Sequence, residues 1–268
     1  MTGGSLAKRA WNLTRPEVFF RHSKFSEGLR AAGYEVCGGA PQGAPGNALL
    51  IWNRYSHNHD IATRFETAGG TVLVAENGYI GPGGVSPHHM TPRSVYALAR
   101  GYHNDHTAVW QGQDDRWTRL GVTLQPWRAS GGHVLVCPNR PFGTPGRIMP
   151  HNWAFEVSER LRRFTSREIR VRPHPGNNPP AKPLAADLAG AWAVCIWSSS
   201  AGVHALVAGV PVVCEAPFWI ARSATSHSVA EIERPYTMER EQTLQRVAHS
   251  QFHIDEIASG EPFRRLLA

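Results

Sequence analysis

Short apolar runs alternate with amphipathic stretches along most of this chain. In the first half the clearest runs are Leu49-Leu-Ile-Trp52 and Thr71-Val-Leu-Val-Ala75. Between them, Asp60 to Ala68 carries helical spacing and stops at Gly69-Gly70, a pair suited to a helix C-terminus. Phe25 to Ala32 also reads as a helix; it ends at Gly33 and leads into a short strand, Tyr34 to Cys37. Strand, helix and strand in this rhythm predict a parallel sheet with helices on its faces. A turn-rich stretch from Gly121 to Gly132 then reads as a linker, and His133-Val-Leu-Val-Cys137 restarts the pattern. After it come a Gly- and Pro-rich loop, a helix over Trp153 to Phe164, strand Ile169 to Arg172 and a helix over Asp187 to Ala191. Strand 193–197, helix 201–208 and strand 210–214 follow, with helical segments near 239–249 and 253–259 and a basic tail. The fold class expected is α/β, with two Rossmann-like halves facing a cleft. The divisions expected are 1–127, 128–250, and a C-terminal helix and tail over 251–268.

Composition narrows the classes. Hydrophobic residues at 41% support a real core, and no apolar run is long enough for a membrane span, so a cytoplasmic protein is expected. The formal net charge is +7, and the basic side chains are nearly all Arg, with Lys only at 8, 24 and 182. Arginine's planar fork suits phosphate on a nucleotide or a nucleic acid, although a GC-rich coding sequence produces the same bias. Cys37, Cys137, Cys195 and Cys214 lack CxxC spacing, and three of them lie in strand-like runs, so buried free thiols are expected.

The chemistry concentrates at predicted strand ends, where open parallel sheets bind ligands. Arg172-Pro-His-Pro-Gly176 ends one strand, and Ser198-Ser-Ser-Ala-Gly202 joins the next to a helix. His174, stiffened by two prolines, either donates to a phosphate or sugar hydroxyl or caps a neighbouring carbonyl. Ser198, Ser199, Ser200 and Gly202 form either a phosphate-holding turn or an ordinary helix cap. Glu215, at the end of strand 210–214, either receives sugar hydroxyls or is an exposed loop carboxylate. In the first half, Glu76 heads the loop Glu76-Asn77-Gly-Tyr79. It is either the base that takes a proton from an attacking hydroxyl or a turn contact with the Asn77-Gly78 backbone. Asn53-Arg54-Tyr-Ser-His57-Asn-His-Asp60 stands at another strand end. His57 or Asp60 could act as base there, Arg54 could reach phosphates, and Asp60 could equally be a helix N-cap. His57, His59 and Asp60, with His88, His89, His103 and His106, match no metal spacing closely, and no metal site is assigned. Trp110, Arg116, Trp117, Arg119, Trp127 and Arg128 interleave aromatics with Arg, either for stacking on bases or for packing near a domain junction. Tyr102 to His106 reads as a polar loop able to cover an acceptor.

Strand, His-Pro loop, strand, Ser-Ser-x-Gly and a helix ending Ala205-Leu-x-x-Gly209-x-Pro-Val-Val213 together resemble the nucleotide-binding half of GT-B glycosyltransferases. The similarity is greatest to those of capsule-polysaccharide and glycerophosphate-transferase type, and it covers residues 133–215. The whole chain also resembles glycosyltransferase-like proteins of bacteriophages. The resemblance implies that the second half grips a nucleotide sugar such as UDP-glucose through Arg140, Arg172, His174, the Ser198–Gly202 turn and Glu215, without a required metal. The first half would present the acceptor through Asn53, Arg54, Asn77 and Tyr79, with Glu76, His57 or Asp60 as base. Net charge and the phage likeness make a hydroxymethylated base in duplex DNA the expected acceptor, with a polysaccharide or small molecule as the alternative. A non-catalytic nucleotide-binding module and a metal-dependent hydrolase are the remaining readings.

Overall fold

The computed structural model describes residues 7–81, 95–105, 116–176 and 182–268. Two compact units, each with its own sheet, make a mixed α/β fold of Rossmann-like kind. The first unit gathers the described residues up to Gly81, those from Val95 to His103, and Ser250–Ala268; the second contains Asn104–His249.

The first unit runs β1 (Arg9–Leu13), α1 (Phe19–Ala31), β2 (Glu35–Cys37), β3 (Ala48–Trp52), α2 (His57–Thr67), β4 (Thr71–Asn77) and β5 (Val95–Arg100). Its sheet has the order β10-β5-β4-β3-β1-β2, where β10 is Gln251–His253. Strands β1 to β4 are parallel, while β5 runs antiparallel to β4 and β10 antiparallel to β5. Trp11, Leu49, Ile51, Val72 and Val74 project from alternate positions of three strands and pack against Ala62 and Phe65 of α2. A buried polar residue, Asn12, fixes the turn from β1 into α1. Its Nδ2 donates to the His22 carbonyl (3.0 Å) and Ser26 Oγ (2.9 Å), while its Oδ1 accepts from Thr14 N–H (3.0 Å) and Oγ1 (2.7 Å). All four bonding positions of this amide are filled, which offsets the cost of burying it.

The second unit contains α3 (Arg116–Leu120), β6 (His133–Cys137), α4 (Trp153–Leu161), β7 (Glu168–Val171), α5 (Leu184–Leu188), β8 (Ala191–Ile196), α6 (Ala201–Val207), β9 (Val212–Cys214) and α7 (Arg240–Ala248). Its sheet is wholly parallel in the order β7-β6-β8-β9. Strands β6 and β8 are apolar almost throughout because helices and loops cover both faces. Trp153, Val157 and Leu161, spaced four apart on α4, lay one helical stripe on Val134, Val136, Ala193 and Cys195. Cys137, Cys195 and Cys214 are buried free thiols; burial pushes Cys137 and Cys214 up to about 12 and Cys195 well above its usual range.

The units divide the chain differently from the sequence reading. The chain passes between them at His103/Asn104 rather than near residue 127. The Gly- and Pro-rich stretch belongs to the second unit, where Gln125 N–H donates to the Val207 carbonyl (3.0 Å) and Arg128 N–H to that of Gly209 (2.8 Å). Gly209 ends α6 in the left-handed region (φ 72°), and a side chain there would strike the Pro126 carbonyl. Turn-forming composition marked a segment that hugs a helix end, not a hinge. Nor is 251–268 a separate tail. β10 extends the first sheet, and α8 (Ile254–Ala258) and α9 (Glu261–Leu266) pack on α1, with Gly28 against the Ile257 carbonyl and the Phe263 ring. No helix among the described residues is long and apolar enough to cross a membrane.

Candidate functional site

Because β6 to β9 are parallel, the loops that follow them share one edge of the second sheet. That edge receives Asn139 and Arg140 from β6, the His174 loop from β7, the serine turn from β8 and Glu215 from β9. Asn139 holds the serine turn from below. Its Oδ1 accepts from Ser198 N–H (3.0 Å) and its Nδ2 donates to Ser198 Oγ (3.2 Å). Ser199 Oγ accepts from Ala201 N–H at 3.3 Å, whereas Ser200, the N-cap residue of α6, makes no side-chain cap bond. The backbone N–H groups of Ser199 and Ser200 have no hydrogen-bond partner among the described residues, and Ser200 is exposed.

His174 follows β7, separated from the turn after β8 by the β6 loop that carries Asn139 and Arg140. Its Nδ1 accepts from Gly176 N–H at 3.0 Å, so the neutral ring carries its proton on Nε2 and presents a donor there. Arg140 belongs to the same spot: a Cβ on Gly176 would stand 3.3 Å from Arg140 Cδ and 3.2 Å from His174 Nδ1. The Arg140 side chain is exposed and forms no ion pair or hydrogen bond among the described residues.

Other residues nominated at this edge are committed elsewhere. The Arg172 guanidinium donates to Asp187 Oδ2 and to the Lys182 carbonyl (2.9 Å), with only 11% of its side chain exposed. It ties the β7 loop to α5 rather than facing a ligand. Glu215 accepts from Arg160 through both oxygens (2.7 and 2.6 Å) and from Trp153 Nε1 (2.8 Å). That bidentate bond raises the Arg160 pKa further, and it leaves Glu215 as an anchor for α4 rather than a receiver of sugar hydroxyls. Gly202 is buried; a Cβ would lie 2.6 Å from Ile196 Cδ1 and 2.7 Å from Trp219 Cη2. Its smallness lets α6 close onto the sheet.

The carboxyl edge of the first sheet has a different character. Glu76 Oε1 accepts from Asn77 N–H (2.8 Å), the turn contact foreseen as an alternative, and its Oε2 has no hydrogen-bond partner among the described residues. Asn77 is exposed, whereas Tyr79 is 5% exposed, with its N–H and that of Ile80 both donating to Gln251 Oε1 (2.8 Å each). After β3, Asn53 (φ 62°) and Ser56 (φ 50°) both adopt left-handed backbone, uncommon for residues with side chains. Asn58 Nδ2 secures this loop by donating to the Trp52 carbonyl (2.9 Å). Ser56, not Asp60, is the N-cap of α2; Asp60 is an exposed residue of its first turn, where a carboxylate complements the helix dipole. His57 is exposed on the same turn. Arg54 is 5% exposed and cannot serve phosphate: it pairs with Glu66 (2.5 Å), donates to the Gly101 carbonyl (2.8 Å) and stacks on Tyr102 (4.3 Å).

Two residues at this edge were not foreseen. Gln251 pins the Tyr79–Ile80 loop from the far end of the chain. Arg21 on α1 is 3% exposed, with its guanidinium 3.5 Å from the Trp52 ring centroid and within electrostatic reach of Glu76; burial lowers its pKa. A lone Gln in a three-residue strand carries no sequence signal. The Phe-Phe-Arg start of α1 gave only a weak one. Of the interleaved Trp and Arg residues, Trp127 packs under the Arg240 guanidinium (4.1 Å), a contact within the unit. Trp110 lies outside the described residues, as do His88, His89 and His106. Among the described residues, no group of three or more His, Cys, Asp or Glu is arranged to hold a metal ion.

No protein-family model matches the chain, and no curated protein matches it. Solved structures do. The KpsC β-Kdo 2,7-transferase of Thermosulfurimonas dismutans aligns over 97% of this chain and 98% of its own, with a TM-score of 0.55 at 14% identity. The KpsC β-Kdo 2,4-transferase of the same organism aligns over 98% and 99%, with a TM-score of 0.57 at 12% identity. The chain has the fold of these transferases. Both neighbours are Kdo transferases by name, and neither is named as a bacteriophage protein.

Proposed function

We propose that the chain is a glycosyltransferase of GT-B kind that moves a sugar from a nucleotide-activated donor to a hydroxyl of a glycan. The observation that carries this reading is the pair of open N–H groups at Ser199 and Ser200, on the sheet edge that also bears unpaired Arg140 and the His174 donor. A donor phosphate would accept from the two amides, Arg140 would offset its charge, and His174 Nε2 would donate to a further oxygen. As the glycosidic bond breaks, negative charge grows on that phosphate, and fixed donors stabilise it most in the transition state. Protein groups alone would supply this stabilisation, so turnover is expected to survive chelation.

Glu76 of the first unit is the proposed base. One of its oxygens is fixed by the Asn77 amide and the other is open to a hydroxyl proton. His57, exposed and without an orienting hydrogen-bond partner among the described residues, is the weaker candidate. The names of the structural neighbours favour Kdo or a related acidic sugar as the transferred group. They also favour a glycan over duplex DNA as acceptor. The DNA reading rests on net charge and the phage likeness, and neither structural neighbour supports the second. Arg264, in the supposed basic tail, donates to the Ala31 and Ser259 carbonyls.

The test is a transfer assay with a panel of nucleotide-activated sugars and glycan acceptors, read by product mass. Transfer that falls at least about 100-fold in Glu76→Gln, with donor binding retained, is the expected result. Absence of both binding and transfer for every donor would overturn the proposal. Steeply salt-dependent binding of duplex DNA would restore the nucleic-acid acceptor.

A further inference from the structure

The two outer strands of the second sheet, β9 and β7, are finished differently along their open sides. The side of β9 is closed by a crossing segment: Cys214 N–H donates to the Ser226 carbonyl (2.9 Å), and Ser226 N–H donates to that of Val212 (3.0 Å). Among the described residues β7 pairs with β6 alone. Arg172 N–H donates to the Val136 carbonyl (2.9 Å), so the even-numbered residues of this strand face β6. The N–H and C=O groups of Ile169 and Val171 therefore face outward, and they have no hydrogen-bond partner among the described residues. Val171 is 52% exposed, while Ile169 is half-buried against the cluster that α4 builds. On the other face of the strand, Glu168 and Arg170 keep 60% and 51% of their side chains exposed. Strand residues two apart share a face, and these two carry opposite charges.

We propose that the open side of β7 is an interface for a second copy of this chain, formed by antiparallel pairing of the two β7 strands about a two-fold axis through Ile169. An open strand offers a row of backbone donors and acceptors to any extended partner, and proteins commonly guard such a row with charge. A guard of one sign repels a second copy. Glu168 and Arg170 instead make the strand self-complementary, and they select its register. With the two Ile169 residues opposite each other, they exchange both ladder bonds, and each Glu168 stands opposite Arg170 of the second copy. Each Val171 N–H then meets the Arg167 carbonyl of the second copy. Moving the axis one residue either way sets Arg170 or Glu168 against its own copy, and like charges opposite one another destabilise a ladder. The contact is isologous and closes at two copies, joining two four-stranded sheets into one. It does not depend on the sugar-transfer reading.

Sedimentation velocity of the full chain over a concentration series, with amide hydrogen exchange at the two ends of that series, tests the interface. A short strand buries too little surface for a permanent complex, so the expected dimer is weak, with a Kd on the order of 100 μM. Exchange at Ile169 and Val171 should slow about threefold in the concentrated sample. Arg170→Glu or Glu168→Arg alone should weaken association about tenfold, because each sets like charges opposite one another. The double exchange, Glu168→Arg with Arg170→Glu, should restore it. Both side chains are exposed, so all three variants should keep the wild-type circular dichroism. Val171→Pro removes an outward N–H, which an outer strand tolerates, and should abolish the dimer. A chain that stays monomeric up to about 1 mM would overturn the proposal, because even weak specific contacts assemble there. So would a dimer indifferent to the single exchanges, a loss that the double exchange fails to restore, or a dimer whose β7 amides exchange as fast as the monomer's.

Discussion

The two sheet edges are built from similar pieces and end up with opposite chemistry. At the second unit's edge, side chains satisfy the framework and leave donors over: the Ser199 and Ser200 amides and Arg140. At the first unit's edge the cations are consumed, Arg54 by Glu66 and Arg21 by stacking on Trp52, and a carboxylate oxygen of Glu76 is left over. One edge suits an anion, and the other suits a proton leaving a hydroxyl. The same lesson holds within the second edge. Arg140 and Arg172 follow neighbouring strands, yet Asp187 consumes Arg172 while nothing described consumes Arg140. Residue type at a strand end nominates a ligand contact; the carboxylate nearby decides it.

The comparison breaks most sharply on exchanging leftover groups for consumed ones. Glu76→Gln should abolish at least about 99% of transfer with little change in the melting temperature, since the Gln carbonyl can keep the turn contact with Asn77 N–H. Arg140→Ala should weaken nucleotide binding roughly tenfold with stability intact, while Arg172→Ala should lower the melting temperature and change affinity less. Equal effects on affinity would erase the distinction between the two arginines. Glu215→Ala leaves Trp153 Nε1 buried without an acceptor and should destabilise the second unit by about 2 kcal/mol, roughly 4–8 °C by scanning calorimetry. A loss of affinity without loss of stability would return Glu215 to the ligand. Gly202→Ala should cost on the order of 1–3 kcal/mol by overpacking Ile196 and Trp219. The smallest effect is chemical: at pH 8 a thiol reagent should label half-buried Cys37 in the native chain and reach Cys137, Cys195 and Cys214 only after unfolding, because burial keeps those thiols protonated.

Much of the second unit was legible from sequence because its strands are short, apolar and punctuated by Gly and Pro. His133–Cys137 and the serine-turn βαβ segment emerge within a residue or two of their predicted places. The first unit was harder. Its β5, Val-Tyr-Ala-Leu-Ala-Arg, is made of residues that favour helix about as well as strand, and only pairing with β4 and β10 decides it. β10 has three residues and returns from the far end of the chain, a long-range closure that no local pattern announces. The site followed the same division. Backbone donors at the serine turn could be read from Ser and Gly beside a strand end. Which arginines were already paired could not, because Asp187 and Glu66 lie fifteen and twelve positions from their partners.

The central claim is that the second unit's edge is a preformed receptor for the phosphate of an activated sugar. Calorimetric titration of nucleotide-activated sugars into the wild-type, Arg140→Ala and Glu76→Gln proteins tests it most directly. The account predicts saturable one-site binding in the wild type, about tenfold weaker in Arg140→Ala and unchanged in Glu76→Gln. No binding in the wild type, or equal affinity in wild type and Arg140→Ala, would contradict it.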